Sequence, residues 1–206
     1  YEGYAKPEQA NNLIRAGCWA HVRRKFDEAR KAAPQGSAVA ERFLTRIREL
    51  YAVEREIADK TVVERTHRRG LESKPLLAAI RADLESTVPQ VPPSSRLGRA
   101  LNYAMNEWER LVRFADDGWL AIDNNRIENL IRPFVVGRKN WLFSATPAGA
   151  TASANLYSLV VSAKMNGLEP NAYLTALFTQ LPKLLESGQP IDSLLPWVWR
   201  PEGESN

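Results

Sequence analysis

Apolar residues recur at helical spacing along most of the chain. One series, with intervals of three, four and seven residues, comprises Val39, Phe43, Ile47, Leu50 and Ile57. A shorter helix is predicted over residues 75–85, with Pro75 in its first turn. The most regular series predicts one continuous helix and comprises Leu97, Leu101, Ala104, Trp108, Leu111 and Ala115. Two more helices are predicted over residues 151–165 and from Pro170 onward.

Strand patterns are scarce by comparison. The apolar run at residues 13–20 predicts a single buried strand. Residues 88–95 contain three prolines and predict a rigid linker. The pattern therefore predicts a mainly α fold with a minor β component.

Composition narrows the class of protein. Hydrophobic residues make up 44% and charged residues 25%, which is typical of a globular protein with a buried core. No stretch approaches the roughly 20 uncharged apolar residues of a membrane helix, so we expect no membrane association and a cytoplasmic location. Cys18 is the single cysteine, which excludes a disulfide framework, and His21 has no second His or Cys at zinc-ligand spacing. The net charge of +4 permits a nucleic-acid partner without requiring one.

The densest polar motif lies at residues 123–132. Asp123, Asn124 and Asn125 are consecutive residues of the types that cap helices, so a helix is predicted to start there. Pro133 is expected to end or kink that helix. Its apolar face is predicted to meet a core through Ile127, Leu130, Ile131 and Phe134.

Glu128 in this motif has two interpretations from spacing alone. It completes a capping box with Asn125 and pairs with Arg132 four residues later, which are structural roles. Alternatively, it is a carboxylate placed near a helix start to hold a divalent metal over a phosphodiester. One carboxylate does not suffice for that chemistry, and spacing leaves both interpretations open.

Clusters of cations have a similar pair of interpretations. Arg23, Arg24 and Lys25 follow the predicted strand directly, and Arg138 with Lys139 follows the motif helix. Both clusters are either contacts to DNA phosphates or ordinary solvated surface. Residues 61–70, also rich in cations, are expected to be solvated, whereas Trp108 and Trp119 are expected in the core.

Several blocks of the chain resemble the IS66 family of transposases. Residues 17–26 resemble its Cys-Trp-Ala-His-x-Arg-Arg-Lys-Phe signature, and Asp123-Asn124-Asn125-x-x-Glu128 resembles its Asp-Asn-Asn-x-x-Glu block. Residues 137–143 resemble its Gly-Arg-Lys-Asn-Trp-Leu-Phe block. Residues 157–159, 163–167 and 194–197 are similar to its C-terminal segment, in the same order.

The resemblance implies a DDE transposase with a ribonuclease-H-like α/β core. Three carboxylates of such an enzyme bind two Mg²⁺ (or Mn²⁺) ions for DNA strand cleavage and strand transfer. The resemblance implies that Glu128 is the third of them, that Asp123, Asn124 and Asn125 cap its helix, and that element ends and target DNA are the partners. It also implies a homo-oligomer in the active complex, possible accessory proteins and nucleoid association. The implied DNA contacts are Arg23, Arg24, Lys25, Arg126, Arg132, Arg138 and Lys139.

The resemblance also implies a layout of domains. Residues 1–26 and 118–166 belong to the catalytic core, 27–117 form a helical insertion, and 167–206 form a C-terminal helical segment and tail. Tyr1-Glu2-Gly3-Tyr4 resembles the end of a family block whose catalytic Asp would lie just upstream, and this resemblance implies a short helix over residues 5–12. We therefore expect this chain to be the C-terminal portion of a transposase that is inactive in isolation and binds no metal stably.

Two other function classes fit the same residues. A non-catalytic helical DNA-binding or regulatory protein would share the basic charge and the amphipathic helices. An inactive remnant of a transposable element is the other alternative. A carboxylate at residue 128 beside DNA-contacting cations favours the enzyme, because a simple DNA binder has no need of an acid there.

Overall fold

The computed structural model describes residues 13–137 and 146–201, and these are helical or irregular throughout, with no strand among them. The helices are α1 (Trp19–Ala32), α2 (Ala38–Glu56), α3 (Val62–Arg68), α4 (Lys74–Thr87), α5 (Arg96–Asn106), α6 (Trp108–Leu111), α7 (Asn125–Gly137), α8 (Pro147–Met165) and α9 (Pro170–Ser187). Short 3₁₀ turns cover Pro34–Gly36, Val88–Gln90, Arg113–Ala115 and Asp192–Leu194. The mainly α prediction is confirmed. Within the described ranges, no helix is apolar over enough length to cross a bilayer.

The chain divides into two compact units, Tyr1–Asn125 and Arg126–Asn206. In the first, α1 packs against α2 and α5. Phe26 of α1 stacks on Phe43 of α2 with 4.7 Å between ring centroids. Trp19 meets Trp108 edge to face at 6.1 Å. Along α2 and α4, the buried residues recur every three or four positions, so the hydrophobic series predicted for these two helices were correctly assigned from sequence.

The predicted strand at residues 13–20 is wrong. Residues 13–18 have no regular structure, and α1 begins at Trp19. The buried residues Trp19, Val22, Phe26 and Ala29 follow helical spacing. A short apolar run does not distinguish a strand from a buried helix start, and here the helix forms. The predicted helix at residues 5–12 lies outside the described residues.

The continuous helix predicted through residues 97–115 is also wrong. It is divided into α5, α6 and a 3₁₀ turn, with Glu107 at φ −94° and ψ 2° between the first two. Residues at and just before the start of α1 donate hydrogen bonds to carbonyls at the end of α6. The Gly17 N–H donates to Arg110 O at 2.8 Å, and Trp19 Nε1 donates to Leu111 O at 2.9 Å. Those carbonyls are therefore satisfied without a continuing helix.

The sequence predicted that residues 61–70 are solvated surface, and for Arg69 this is wrong. Arg69 begins a π turn (Arg69–Ser73) between α3 and α4 and is only 1% exposed. Its guanidinium bonds both carboxylate oxygens of Glu54, at 2.8 and 2.5 Å, and also the carbonyls of Phe114 and Asp117. The charge is buried because its partners on α2 and after α6 satisfy it. Trp119 was expected in the core and is 78% exposed.

The second unit has its own small core between α8 and α9. Ala163, Leu168, Tyr173, Leu177 and Leu194 are buried there, and the Trp199 ring packs against Tyr173 at 5.6 Å. Tyr173 also donates to Leu194 O at 2.9 Å, which fixes the tail against α9. Gly188 ends α9 with φ +66°, a left-handed conformation that favours glycine. On α7, Phe134 packs against Tyr157 of α8 at 4.7 Å.

Candidate functional site

The carboxylate of Asp123 joins three parts of the first unit. One oxygen accepts the Tyr51 hydroxyl at 2.7 Å and the Asn125 side-chain amide at 2.8 Å. The other oxygen accepts the backbone N–H of Asn125, the first residue of α7, at 3.0 Å. Nearby, Asn124 N–H donates to Cys18 Sγ at 3.4 Å. We call Cys18, Tyr51, Asp123 and Asn125 the Asp123 junction.

The segment from Gly17 to Trp19 brings the two sequence motifs of this unit together. Trp19 N–H donates to Ile122 O at 3.1 Å, so the start of α1 lies beside the residues that lead into Asp123. A Cβ on Gly17 would lie 2.8 Å from Leu111 N, which explains a glycine at this close backbone approach. Residues 17–19 thus have a structural role, because they bond the irregular segment that leads to α7.

Tyr51 contributes the long-range contact of the junction. It lies on α2, 72 positions before Asp123 in sequence. Burial, followed by the hydrogen bond to the Asp123 carboxylate, raises the pKa of Tyr51 well above its usual value. The hydroxyl therefore stays protonated and able to donate at physiological pH.

Glu128 lies in the first turn of α7, one turn after Asn125, and is half-buried. The helix continues through Pro133 to Gly137, so of the two predicted effects of Pro133, an end or a kink, the end does not occur. The apolar face predicted to meet a core is only partly covered in the described residues. Leu130 and Phe134 are half-buried, whereas Ile127 and Ile131 are each 40% exposed. Residues 130 and 134 lie toward Tyr157, whose hydroxyl donates to Leu130 O at 3.1 Å, and the other two lie on the neighbouring strip.

The first basic cluster does not form one patch. Consecutive residues of a helix point about 100° apart, and residues 23–25 lie within α1. Arg23 and Arg24 are exposed, whereas Lys25 is half-buried with its Nζ 4.7 Å from the centre of the Tyr103 ring. Arg126 and Arg132 are exposed on α7. Arg138 and Lys139 lie outside the described residues.

The Asp123 carboxylate accepts three hydrogen bonds, from Tyr51 and from the backbone and side chain of Asn125. A carboxylate so engaged has a structural function at the start of a helix.

Comparison with known proteins decides the family. The model of the family described as Transposase IS66 family matches residues 1–152, and the IS66 C-terminal element matches residues 158–197. The chain belongs to the IS66 family of transposases. Glu128 and the whole Asp123 junction lie within the first match.

The IS66 relatives are much longer than this chain. Uncharacterized protein y4jD of Sinorhizobium fredii (strain NBRC 101917 / NGR234) is 32% identical over 90% of this chain and 36% of its own length. Uncharacterized protein y4qI of the same organism is 31% identical over 96% of this chain and 36% of its own length. The chain thus spans about a third of the relatives it matches. No solved structure matches it.

Sequence reasoning did not identify two residues of this IS66 chain that the structure makes important. Tyr51 was absent from the candidates because its partner is 72 positions away. Arg69 was placed among surface cations because its partner, Glu54, belongs to another helix.

Proposed function

We propose that this chain supplies Glu128 as the third carboxylate of a DDE transposase that cleaves and joins DNA at element ends. Membership in the IS66 family supports the transposition role. The observation that carries the assignment of Glu128 is the junction before it. Asp123 accepts hydrogen bonds from Tyr51 and from Asn125, the first residue of α7, and Glu128 lies one turn later in the same helix.

The donor set of this chain fits one ligand of a divalent ion. Glu128 offers hard carboxylate oxygens, which Mg²⁺ and Mn²⁺ prefer, whereas the Asp123 oxygens are already hydrogen-bonded. The other two carboxylates would come from outside the described residues. A bound pair of ions would supply Lewis-acid activation of the attacking water or 3′-hydroxyl and of the scissile phosphate. Glu128 would hold an ion, and Arg126 and Arg132 on the same helix would orient DNA.

The proposal includes the architecture of the complete enzyme. The sheet of a ribonuclease-H-like core would be built by residues outside the described ranges, with residues 27–117 as a helical insertion between the second and third carboxylates. The partly covered face of α7, with Ile127 and Ile131 each 40% exposed, is the surface that would pack on that sheet. Element ends and target DNA would be the substrates, with a homo-oligomer as the active form in the bacterial cytoplasm, where DNA binding would bring it to the nucleoid.

The test is Glu128→Gln in the complete transposase. We expect Mg²⁺-dependent cleavage of an element end to be lost while the melting temperature stays within a few degrees, because the substitution is isosteric. Glu64→Gln is the matched control. Glu64 is also a first-turn glutamate, and it closes a capping box with Thr61 on α3, a position that glutamine also fills, so this control should leave both stability and cleavage intact. Cleavage by the Glu128→Gln protein, or an equal loss of cleavage in the control, would contradict the proposal.

A further inference from the structure

A basic groove runs along α1 and α2 in the first unit, and the family resemblance implies a DNA contact for only one of its residues, Arg23. Its volume is about 500 Å³. Arg23 lines it from α1, Arg48, Tyr51 and Arg55 line it from α2, and Asn125 lies at its edge. Tyr51 and Asn125 also belong to the Asp123 junction, so the groove adjoins the start of α7.

The charges of the groove are arranged unevenly. Farther along the same two helices, Arg30 is paired with Asp27 at 2.6 Å and with Glu41 at 3.3 Å. Hydrogen bonds from Lys31 and then Arg30 lower the pKa of Asp27, so it stays ionised and neutralises its partners. That end of the groove is therefore electrically balanced.

Arg23, Arg48 and Arg55 are not balanced in this way. All three are exposed, and within residues 13–137 and 146–201 none forms an ion pair or donates a hydrogen bond. Arg42 and Arg46, on another side of the same helix α2, both lie within 4 Å of Asp83. Three uncompensated arginines on one groove are thus a feature of this face and not of α2 as a whole.

We propose that the basic groove binds the phosphodiester backbone of DNA through Arg23, Arg48 and Arg55. Guanidinium groups present a planar set of donors that matches two phosphate oxygens, so they suit backbone contact without reading base sequence. Arg48 and Arg55 are seven residues apart on one helix, or about 10 Å, which spans about three nucleotides of one strand. This inference rests on the proposed function, and it adds two DNA contacts from the insertion.

The test measures DNA binding by the full-length protein in EDTA, so that cleavage does not contribute. Arg48→Gln/Arg55→Gln removes two charges from the groove and keeps most of each side chain. Fluorescence anisotropy over a range of salt concentrations, on an element-end duplex and on an unrelated duplex of equal length, gives the slope of log K against log salt. We expect the slope to fall by about two on both duplexes, since backbone contacts are independent of sequence.

Arg96→Gln/Arg99→Gln is the matched control. It removes the same charge from exposed positions on α5, near Ala33 at the opposite end of α1. An unchanged slope for the groove variant, an equal fall for the control, or no DNA binding by the unmodified protein would each overturn the proposal. Both variants are expected to keep the parental melting temperature, which confirms their folding. Loss of cleavage in the Glu128→Gln protein does not depend on this result, so the two proposals fail separately.

Discussion

Removing the Tyr51 hydroxyl tests whether the Asp123 junction holds the start of α7. Tyr51→Phe keeps the ring and deletes one of three hydrogen bonds to the Asp123 carboxylate, the one at 2.7 Å. Hydrogen bonds to charged groups contribute about 1.5–3 kcal/mol, and water can partly replace the donor at this half-buried site. We therefore expect a loss of about 1–2 kcal/mol in the free energy of unfolding.

Urea unfolding followed by circular dichroism measures that loss. A double-mutant cycle with Asp123→Asn isolates the pair, and we expect a coupling energy of about 0.5–2 kcal/mol between the two positions. Additive effects of the two substitutions would refute the junction as an energetic unit. In the complete transposase, cleavage should also fall in Tyr51→Phe, because the position of Glu128 depends on the start of its helix.

The pH dependence of stability gives an independent check of the same contact. The pKa of Tyr51 is raised in the folded protein, so the protonated form is favoured there. Its contribution is complete below the unfolded pKa of about 10 and is lost as pH rises toward the folded value. The stability difference between the parent and Tyr51→Phe should therefore shrink above about pH 10. A difference that stays constant across that range would contradict the assignment.

Two further predictions concern the first unit. Arg69→Met leaves the partly buried Glu54 without its partner and two carbonyls without a donor, so we expect the free energy of unfolding in urea to fall by about 3–5 kcal/mol. Adding Glu54→Leu should restore part of that stability. A loss under 1 kcal/mol in Arg69→Met would contradict the buried pair. Gly17→Ala would place a Cβ 2.8 Å from Leu111 N and should lower the melting temperature by several degrees. Gly36→Ala is the control, because Gly36 has open space around it, and it should leave the melting temperature unchanged. Equal effects of the two substitutions would show that the close approach is absent.

The elements that sequence predicted well are those whose signal is local. The periodic apolar residues of α2 and α4 specify helices because burial on one face needs no other information. The signals that failed depend on distant partners. The helix predicted through residues 97–115 does not continue past α6, where Gly17 N–H and the Trp19 side chain bond the carbonyls of Arg110 and Leu111. Arg69 is buried because Glu54 lies beside it, and no charge pattern within residues 61–70 reveals that.

The site was predictable to a similar extent. The order of Asp123, Asn124 and Asn125 predicted a helix start, and the structure places Asn125 at the start of α7, whereas the role of Glu128 stays a prediction from the family resemblance. Tyr51 could not be identified, because the contact joins positions 51 and 123 through the packing of α2. The basic groove was missed for the same reason. Only the pairing of α1 with α2 shows that Arg23, Arg48 and Arg55 share one face.

The central claim is that Glu128 holds a divalent ion, and a change of ligand tests it most directly. Mg²⁺ requires hard oxygen ligands, whereas Mn²⁺ tolerates a softer thiolate. We measure element-end cleavage by the complete transposase carrying Glu128→Cys or Glu128→Gln, in Mg²⁺ and in Mn²⁺. The account predicts that Glu128→Cys is inactive in Mg²⁺ and regains cleavage in Mn²⁺, while Glu128→Gln stays inactive in both. Equal behaviour of the two variants in both metals, or full activity of Glu128→Cys in Mg²⁺, would contradict it.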